Sequence, residues 1–353
     1  MTDIEILGNK DKGDEFIKKT KNKKFLFAFV ISYTETCEIP GITVAGANPD
    51  LLKFTAAADA EFIHYGYCKS IKSIPMTPDG KPTPALLTKV ALEAASIPSF
   101  VVNAGSKVTP QLPTIELDLK PGKNIAQEAA LDQDLVRKAV EYGRIVGRSL
   151  GSATDCLIIG ESIPGGTTTA LGILTGLGIE SSVSSSMPTN PTDLKNQTVR
   201  TALKRVQTRD PFDIVSEVGD PMIPSVAGIL STASESTNVI LAGGTQMAAV
   251  LAFAKSIGFN EKNTVIGTTS YIIDDKTANL VDTVKQISNI PILVAKLKLG
   301  DSKIVGLRSY AEGFVKEGAG AGGTSIACML KTGIDTERLL SLTEKEYRRI
   351  TSR

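Results

Sequence analysis

Two stretches of the sequence place a pair of glycines and a hydroxyl side chain directly after an apolar run. In the first, over 160–169, Gly165 and Gly166 are followed by Thr167 and Thr168. Glycine lets the backbone bend tightly, and the free amides at the start of a following helix attract phosphate or carboxylate. The stretch is neither a Walker A loop, since no lysine follows the glycines, nor a GxGxxG fingerprint. Taken alone, it is equally consistent with a tight turn that binds nothing.

The second stretch, over 240–247, repeats the arrangement with Gly243 and Gly244 followed by Thr245. Two such turns in one parallel sheet can face a single crevice, because ligands of these sheets bind beyond the carboxyl ends of the strands. The pair therefore favours an anionic ligand such as a nucleotide more than either turn alone.

A third stretch, over 310–330, offers a carboxylate next to small residues. Glu317 is followed by a Gly-Ala-Gly-Ala-Gly-Gly run that includes Gly318 and Gly320. A carboxylate in a closed glycine-rich loop is desolvated, which raises its pKa towards the range of a general base. Glu312 is the competing candidate, and a solvated surface carboxylate is the alternative for either residue.

A fourth stretch, over 209–230, contains residues typical of the beginning and the end of helices. Asp210 before Pro211 is typical of a helix N-cap followed by proline at the first helical position. Gly219 then ends a short helix, and the residues after it begin another. We interpret Asp210 as a helix cap without a further role, whereas Gly219 could also belong to a polar turn near the other glycine-rich loops.

The residue inventory disfavours metal and catalytic-triad chemistry. The four cysteines form no CxxC pair and His64 is the only histidine, so no zinc site, metal or cofactor is expected. Cys156 and Cys328 lie in apolar runs and are expected to be buried thiols. His64 is interpreted as a structural residue, because no serine or cysteine elbow motif supports a triad.

Composition limits the classes of partner. The 353 residues are 42% hydrophobic and 22% charged, with a formal net charge of +1, as in an ordinary globular protein. That balance predicts no nucleic-acid or membrane partner. No apolar run reaches the length of about 18 residues that a membrane span requires. The first residues lack a signal-peptide core, so a cytoplasmic location is expected.

The elements that must position these residues alternate along the chain. Continuous apolar runs, typical of strands buried on both faces, occur over 24–32, 98–105, 155–162, 238–246, 263–271 and 302–307. Helical periodicity occurs between them, for example over 131–150 and 245–258. The alternation predicts an α/β fold with a doubly wound, mostly parallel sheet and helices on both faces.

The chain ends differ from the middle. Residues 77–87 are proline-rich and loop-like, and residues 332–350 are typical of charged terminal helices. We therefore predict a large nucleotide-binding domain over 90–335 and a smaller subdomain built from 1–89 together with 336–353.

In their order along the chain, the four stretches resemble the nicotinate-nucleotide:dimethylbenzimidazole phosphoribosyltransferases, and in particular the little-characterised archaeal branch of that family. The segment 79–92, upstream of them, looks like a diverged form of the family's base-proximal loop. The similarity extends over roughly residues 77–335. It implies a parallel doubly wound sheet, a small domain built from both chain ends, and a homodimer.

The resemblance also implies an activity, namely transfer of ribose 5-phosphate from nicotinate mononucleotide to a benzimidazole-type base. The product would be an α-ribotide for the lower ligand of cobamides. Glu317 matches the general base that removes the imidazole proton, and Glu161 matches an acidic residue near the reacting groups. Together with the glycine patterns, the resemblance assigns nucleotide binding to Gly165, Gly166, Thr167, Thr168, Gly219, Gly243, Gly244, Gly318 and Gly320.

The acceptor side departs from the family pattern. Base binding would fall to Pro84, Leu86 and Asn103, but the family has Gly-Ser-Leu where this chain has 84–86 and Asp-His-Gly where it has 103–105. Two alternatives therefore stay open: a related transferase with another acceptor, and a nucleotide-binding protein without transferase activity. A nicotinamide-dependent oxidoreductase is disfavoured because GxGxxG is absent.

Overall fold

The computed structural model describes residues 3–44, 48–77 and 80–352. Within these residues, one eight-stranded sheet has the order β1-β8-β7-β6-β5-β2-β3-β4. β1 pairs with β8 antiparallel, and the other pairs are parallel. The strands are β1 Ile4–Leu7, β2 Phe25–Ile31, β3 Ser99–Asn103, β4 Thr114–Glu116, β5 Cys156–Ser162, β6 Asn238–Ala242, β7 Thr264–Thr269 and β8 Ile292–Ala295.

Helices fill the connections between the strands. The α-helices are α1 Lys10–Thr20, α2 Thr55–Tyr65, α3 Ala85–Ala95, α4 Gln133–Gly151, α5 Gly166–Gly176, α6 Thr192–Leu203, α7 Pro211–Val218, α8 Met222–Ser236, α9 Thr245–Ile257, α10 Ser270–Ile273, α11 Leu280–Ile287, α12 Val305–Arg308, α13 Ala321–Thr332 and α14 Thr336–Thr351. Short 3-10 helices span Glu35–Glu38, Pro49–Phe54, Glu261–Asn263 and Leu299–Asp301. None of the helices in the described ranges is long and apolar enough to cross a membrane.

Each face of the sheet has its own hydrophobic core, because successive strand residues point to opposite faces. In β2, the residues Phe25, Phe27, Phe29 and Ile31 contribute to one core. Leu26, Ala28 and Val30, between them, contribute to the other. Helices α4, α5, α8 and α9 cover the second face, and α2, α3, α13 and α14 cover the first. The predicted α/β fold with helices on both faces is confirmed.

Five of the six predicted strands are confirmed as β2, β3, β5, β6 and β7. The prediction of a strand over 302–307 is wrong. This segment is a loop that enters the short helix α12, with Val305 62% exposed and the Ser302 hydroxyl donating to Glu344. A run this short, interrupted by Lys303 and Gly306, lacks the apolar surface that a strand buried on both faces needs.

The helix predictions in the middle of the chain are confirmed. The runs over 131–150 and 245–258 are helices α4 and α9. The Asp210 carboxylate accepts a hydrogen bond of 2.7 Å from the backbone N–H of Phe212, which confirms the predicted N-cap. Gly219 follows the last residue of α7, as expected. Cys156 and Cys328 are fully buried, whereas His64 is exposed on α2.

The predicted division into 90–335 and a subdomain from the chain ends stays a prediction. β1 and β2, from the first 89 residues, belong to the same sheet as the later strands. α14 packs on α3, so the end of the chain contacts the helix that crosses the predicted boundary at residue 89. In the predicted loop over 77–87, residues 78 and 79 lie outside the described residues, and Ala85 already begins α3.

Candidate active site

A cleft lies at the carboxyl ends of β5, β6 and β7, where the segment before α13 meets the sheet. Its volume is about 970 Å³, part of which is open to solvent. Ligands of parallel α/β sheets bind at this edge. Eight of the residues predicted from the sequence line the cleft, namely Pro84, Glu161, Gly165, Gly166, Thr167, Gly244, Glu317 and Gly318.

The first glycine turn, residues 163–167, connects β5 to α5. Gly165 has a φ of +77°, in the left-handed region that favours glycine. A Cβ atom at this position would lie 2.8 Å from Cys37 Cβ and 2.9 Å from Cys37 Cα. Helix α5 begins at Gly166, so the first turn of an 11-residue helix lies at the cleft. Within this turn, the N–H of Gly166 donates to the carbonyl of Ile163 at 3.3 Å, and the N–H of Thr168 donates to the carbonyl of Gly165 at 3.0 Å. Such amides and the helix dipole attract an anionic group.

The second glycine turn, residues 243–246, connects β6 to α9 and lines the cleft with its last three residues. Gly243 itself lies behind them, with its N–H donating to the carbonyl of Gly267 at 3.0 Å. The Thr245 hydroxyl accepts a hydrogen bond of 3.3 Å from the N–H of Ser184. The turn therefore supports a serine segment, residues 184–186, that also lines the cleft.

Glu317 lies in residues 315–319 before α13, called the Glu317 segment below. Hydrogen-bond donors contact both of its carboxylate oxygens. Oε1 accepts from the N–H groups of Gly318 (3.1 Å) and Gly322 (3.2 Å). Oε2 accepts from the N–H of Thr269 at 3.0 Å, at the end of β7. Desolvation nevertheless raises the pKa of Glu317 to about 7, and these hydrogen bonds oppose the rise. A fixed carboxylate that titrates near neutrality is suited to accept a proton.

Glu161 is the next-to-last residue of β5 and is only 3% exposed. Burial, together with the charges of Asp220, Glu317 and Asp59, raises the pKa of Glu161 to about 8. The carbonyl of Glu161 accepts a hydrogen bond of 3.0 Å from the N–H of Ala319, which ties β5 to the Glu317 segment. At neutral pH the side chain of Glu161 is therefore largely protonated and can donate a hydrogen bond.

Asp59, on α2, is a cleft residue that the sequence analysis missed. Its carboxylate accepts hydrogen bonds of 2.8 Å from the hydroxyls of Thr83 and Ser162. Burial raises the pKa of Asp59 to about 6. The only signal in the sequence is a single aspartate in the alanine-rich helix Thr55–Tyr65. Asp59, Glu161 and Glu317 are called the carboxylate cluster below.

Asp220 does not line the cleft, but its charge helps to raise the pKa of Glu161 in the carboxylate cluster. It is fully buried, and its carboxylate caps α8 by accepting from the N–H groups of Met222 (2.9 Å) and Ile223 (3.1 Å). Thr169, in α5, donates its hydroxyl to the other oxygen. Burial raises the pKa of Asp220 to about 6. Asp220 therefore links the start of α8 to the first turn of α5.

A buried ion pair fastens the serine segment to the Glu317 segment. Lys316 Nζ lies 3.1 Å from Asp275 Oδ2, and both side chains are almost fully buried. The same Asp275 oxygen accepts from the hydroxyl of Ser184 at 2.7 Å. The N–H of Val315 donates to the carbonyl of Ser186 at 2.9 Å. These contacts hold two lining segments that are distant in the sequence in one arrangement.

Six residues of the predicted site do not line the cleft in the described structure: Thr168, Leu86, Asn103, Gly219, Gly243 and Gly320. Thr168 and Leu86 are fully buried. Asn103 binds Glu116 and Ser106 through its side chain. Gly219 ends α7, where a Cβ atom would lie 2.6 Å from the carbonyl oxygen of Val215. Gly320 permits close packing against Phe27 and Gly160.

These six positions lie outside the lining of the cleft, and their predicted roles in nucleotide and base binding stay predictions. Gly-rich spacing in a sequence does not distinguish a glycine needed for packing from one needed beside a ligand. Within the described residues, no three histidine, cysteine or carboxylate side chains are placed to hold a metal ion. Independence from metals stays a prediction.

Comparison with known proteins places the chain in a family. A sequence model of the phosphoribosyltransferase family DBI_PRT matches residues 89–302. A UPF0284 protein of Archaeoglobus fulgidus is 50% identical over 325 residues, which cover 92% of this chain and 93% of that protein. A UPF0284 protein of Sulfurisphaera tokodaii is 43% identical, with coverage of 94% and 95%.

Solved structures share the fold. The crystal structure of CobT from Thermus thermophilus aligns with a TM-score of 0.62 and 16% identity, over 93% of this chain and 89% of that one. A structure of the nicotinate-nucleotide-dimethylbenzimidazole phosphoribosyltransferase from the same organism aligns with a TM-score of 0.61, also at 16% identity, over 93% and 88%. At this identity the similarity establishes the fold alone. With its cleft at the carboxyl ends of a mostly parallel sheet, the chain belongs to the phosphoribosyltransferase family.

Proposed function

We propose that this phosphoribosyltransferase moves ribose 5-phosphate from nicotinate mononucleotide to a benzimidazole-type base and forms an α-ribotide for the lower ligand of a cobamide. The observation that carries the proposal is the meeting, in one cleft, of Glu317, Glu161 and the amides of the first glycine turn. One group can accept a proton, one can donate a hydrogen bond, and the third can hold a phosphate.

In the proposed reaction, the phosphate of the donor binds the amides at the start of α5. The bond between C1′ of the ribose and the ring nitrogen of nicotinate breaks, and its electron pair neutralises the cationic ring. A nitrogen of the acceptor forms the new bond to C1′. The other nitrogen of the acceptor loses its proton to Glu317, whose pKa of about 7 suits this transfer.

Positioning contributes a further part of the rate. Holding the attacking nitrogen about 3–3.5 Å from C1′ converts an encounter between two molecules into a step within one complex. The apolar residues that line the cleft, Ile42, Val44, Met76, Ile272 and Val315, offer surfaces for two flat rings. In its protonated form, Glu161 can hold a hydroxyl of the ribose or the leaving ring.

A mixture of the protein, nicotinate mononucleotide and a panel of benzimidazoles and purines tests the proposal. We expect nicotinate and a ribotide to appear in equal amounts with at least one base, as measured by liquid chromatography. Nucleotide binding without release of nicotinate for any base would favour the second candidate, a nucleotide-binding protein without transferase activity. The replacement of the family's Asp-His-Gly by 103–105 keeps that candidate open. The homodimer and the cytoplasmic location also remain predictions.

A further inference from the structure

Tyr310 precedes the Glu317 segment in the chain and does not line the cleft. Its side chain is fully buried, and its hydroxyl donates to the carbonyls of Pro82 at 3.0 Å and Thr83 at 2.9 Å. Burial raises the pKa of Tyr310 well above its ordinary value, so the hydroxyl keeps its hydrogen and stays a donor. Through this hydroxyl, the chain just before Glu317 contacts a segment that is distant in the sequence.

The segment that Tyr310 contacts, residues 82–84, is called the acceptor loop below. Thr83 and Pro84 line the cleft, and Pro84 is one of the residues to which the family resemblance assigns base binding. The Thr83 hydroxyl donates to Asp59 at 2.8 Å, and the N–H of Thr83 donates to the carbonyl of Pro75 at 3.1 Å. Tyr310 therefore binds the backbone of a loop whose side chains form one wall of the cleft.

A second buried hydroxyl links the same region to the other end of the Glu317 segment. Thr88, on α3, is fully buried and donates its hydroxyl to the carbonyl of Ala319 at 2.8 Å. Ala319 has a φ of +51°, a conformation that a residue with a side chain keeps only where its surroundings impose it. A Cβ atom at Gly318 would lie 3.4 Å from Pro84 Cγ, so the acceptor loop also packs against the segment directly.

We infer that Tyr310 and Thr88 are positioning residues, which hold the acceptor loop at the distance from Glu317 that proton transfer requires. The inference rests on the proposed function and adds two residues that act through the acceptor loop and α3. The acceptor nitrogen can give its proton to Glu317 only across a hydrogen bond of about 2.6–3.2 Å. A displacement of about 1 Å can cost on the order of 10²-fold in rate.

Two variants, Tyr310→Phe and Thr88→Val, each remove one hydroxyl and keep the approximate shape of the side chain. For each variant, we expect kcat/KM for the acceptor base to fall at least about tenfold, because the base is held less accurately. The Kd of nicotinate mononucleotide, measured by calorimetry, should stay within about twofold, because its phosphate is assigned to the first glycine turn. Thermal unfolding verifies that the variants are folded.

Tyr271→Phe is the matched control for the loss of a tyrosine hydroxyl. The Tyr271 hydroxyl accepts a hydrogen bond of 2.8 Å from the N–H of Leu299, which does not line the cleft. Its loss removes a contact between side chain and backbone, as in Tyr310→Phe, but leaves the acceptor loop in place. We expect kcat/KM and the nucleotide Kd of this variant to stay near those of the unmodified protein.

The outcomes separate this inference from the function on which it rests. Normal kcat/KM for the acceptor in a folded variant would overturn the positioning role of the residue it replaces. Equal losses for the acceptor and the nucleotide would indicate a general loosening of the fold and overturn the inference, as would failure of both variants to fold. If the unmodified protein releases no nicotinate with any base, the proposed function fails and the inference fails with it.

Discussion

The first glycine turn and the carboxylate cluster, both in one cleft, are built on opposite physical principles. The turn offers backbone amides, and its shape is imposed by Gly165, whose conformation and contact with Cys37 exclude a side chain. The carboxylate cluster offers side chains whose burial raises the pKa of Glu161 and Glu317. The turn depends on a backbone conformation that only glycine adopts easily. The carboxylate cluster, in contrast, is electrostatically unfavourable in the folded state when its members are ionised.

The comparison between the turn and the carboxylate cluster predicts that neutralising Glu317 causes the largest loss of turnover. Glu317→Gln keeps the size of the side chain but cannot accept the acceptor's proton, so turnover should fall by at least about 10²-fold. Nucleotide affinity should change little, because the phosphate is assigned to the turn. Steady-state kinetics and calorimetry measure the two effects separately.

Glu312→Gln is the matched control, because Glu312 is exposed and lies five residues earlier. Its turnover should stay near that of the unmodified protein. Near-normal turnover of Glu317→Gln with a verified acceptor would show that Glu317 is not the base, and Glu161 would then be tested in the same way.

The dependence of rate on pH should report the same carboxylate. A general base acts in its deprotonated form, and the pKa of Glu317 is raised to about 7. The value of kcat/KM should therefore rise about tenfold per pH unit at acidic pH and level off above about pH 7. A profile that stays flat from pH 5 to 8 would contradict this role.

Substitution in the first glycine turn should weaken nucleotide binding by a smaller factor. A Cβ atom at Gly166 would lie 2.7 Å from Ile163 Cγ2 and 2.8 Å from Gln246 Nε2, so Gly166→Val must displace these two side chains, which line the cleft. We expect at least about a tenfold loss of affinity for the mononucleotide, or about 1.4 kcal/mol. Unchanged affinity by calorimetry would show that the phosphate does not bind at this turn.

The second glycine turn provides the control for this substitution. A Cβ atom at Gly244 would lie 3.3 Å from Ile272 Cδ1, the end of a side chain that can adjust, and Gly244 has a negative φ. Gly244→Ala should therefore bind nucleotide with nearly unchanged affinity. Equal losses in both variants would indicate that the two turns share the phosphate.

The smallest predicted effect concerns stability. The folded-state pKa of Glu161 is raised from 4.5 to about 8, so folding is favoured while the group is protonated. This stabilisation is complete below about pH 4.5 and is lost as the pH rises through about 8. Glu161→Gln removes the penalty, so its free energy of unfolding, relative to the unmodified protein, should increase by at least about 1 kcal/mol from pH 5 to pH 8.5. Denaturant unfolding at the two pH values measures the change, and a difference that stays constant would contradict it.

The sequence predicted the turn better than the cluster, and the reason is physical. A pair of glycines after an apolar run indicates a strand that ends in a tight turn, so both turns and the strands before them were predictable. The charged neighbours of Glu161 are Asp220 before α8, Glu317 and Asp59 on α2, which only the tertiary fold brings together. Asp59 was missed because nothing local separates a buried aspartate on a helix from an exposed one.

The strand errors have a similar origin. Edge strands β1 and β4 have 4 and 3 residues, too few for a clear pattern. The apolar run that forms β8, Ile292–Ala295, was not predicted as a strand because four residues are too few to distinguish a strand from a buried loop. The phosphate role of Gly219, which the family resemblance implies, stays a prediction, and the structure places this residue at the end of α7.

The interior position of β2 in the sheet also affects how the protein is made. All seven residues of β2 are buried, yet its neighbours β3 and β5 begin only at Ser99 and Cys156. At about 5–20 residues per second, the ribosome needs on the order of ten seconds to supply β5 after β2. During that interval a strongly apolar strand has at least one edge open, which makes the nascent chain prone to aggregation and a natural client for chaperones.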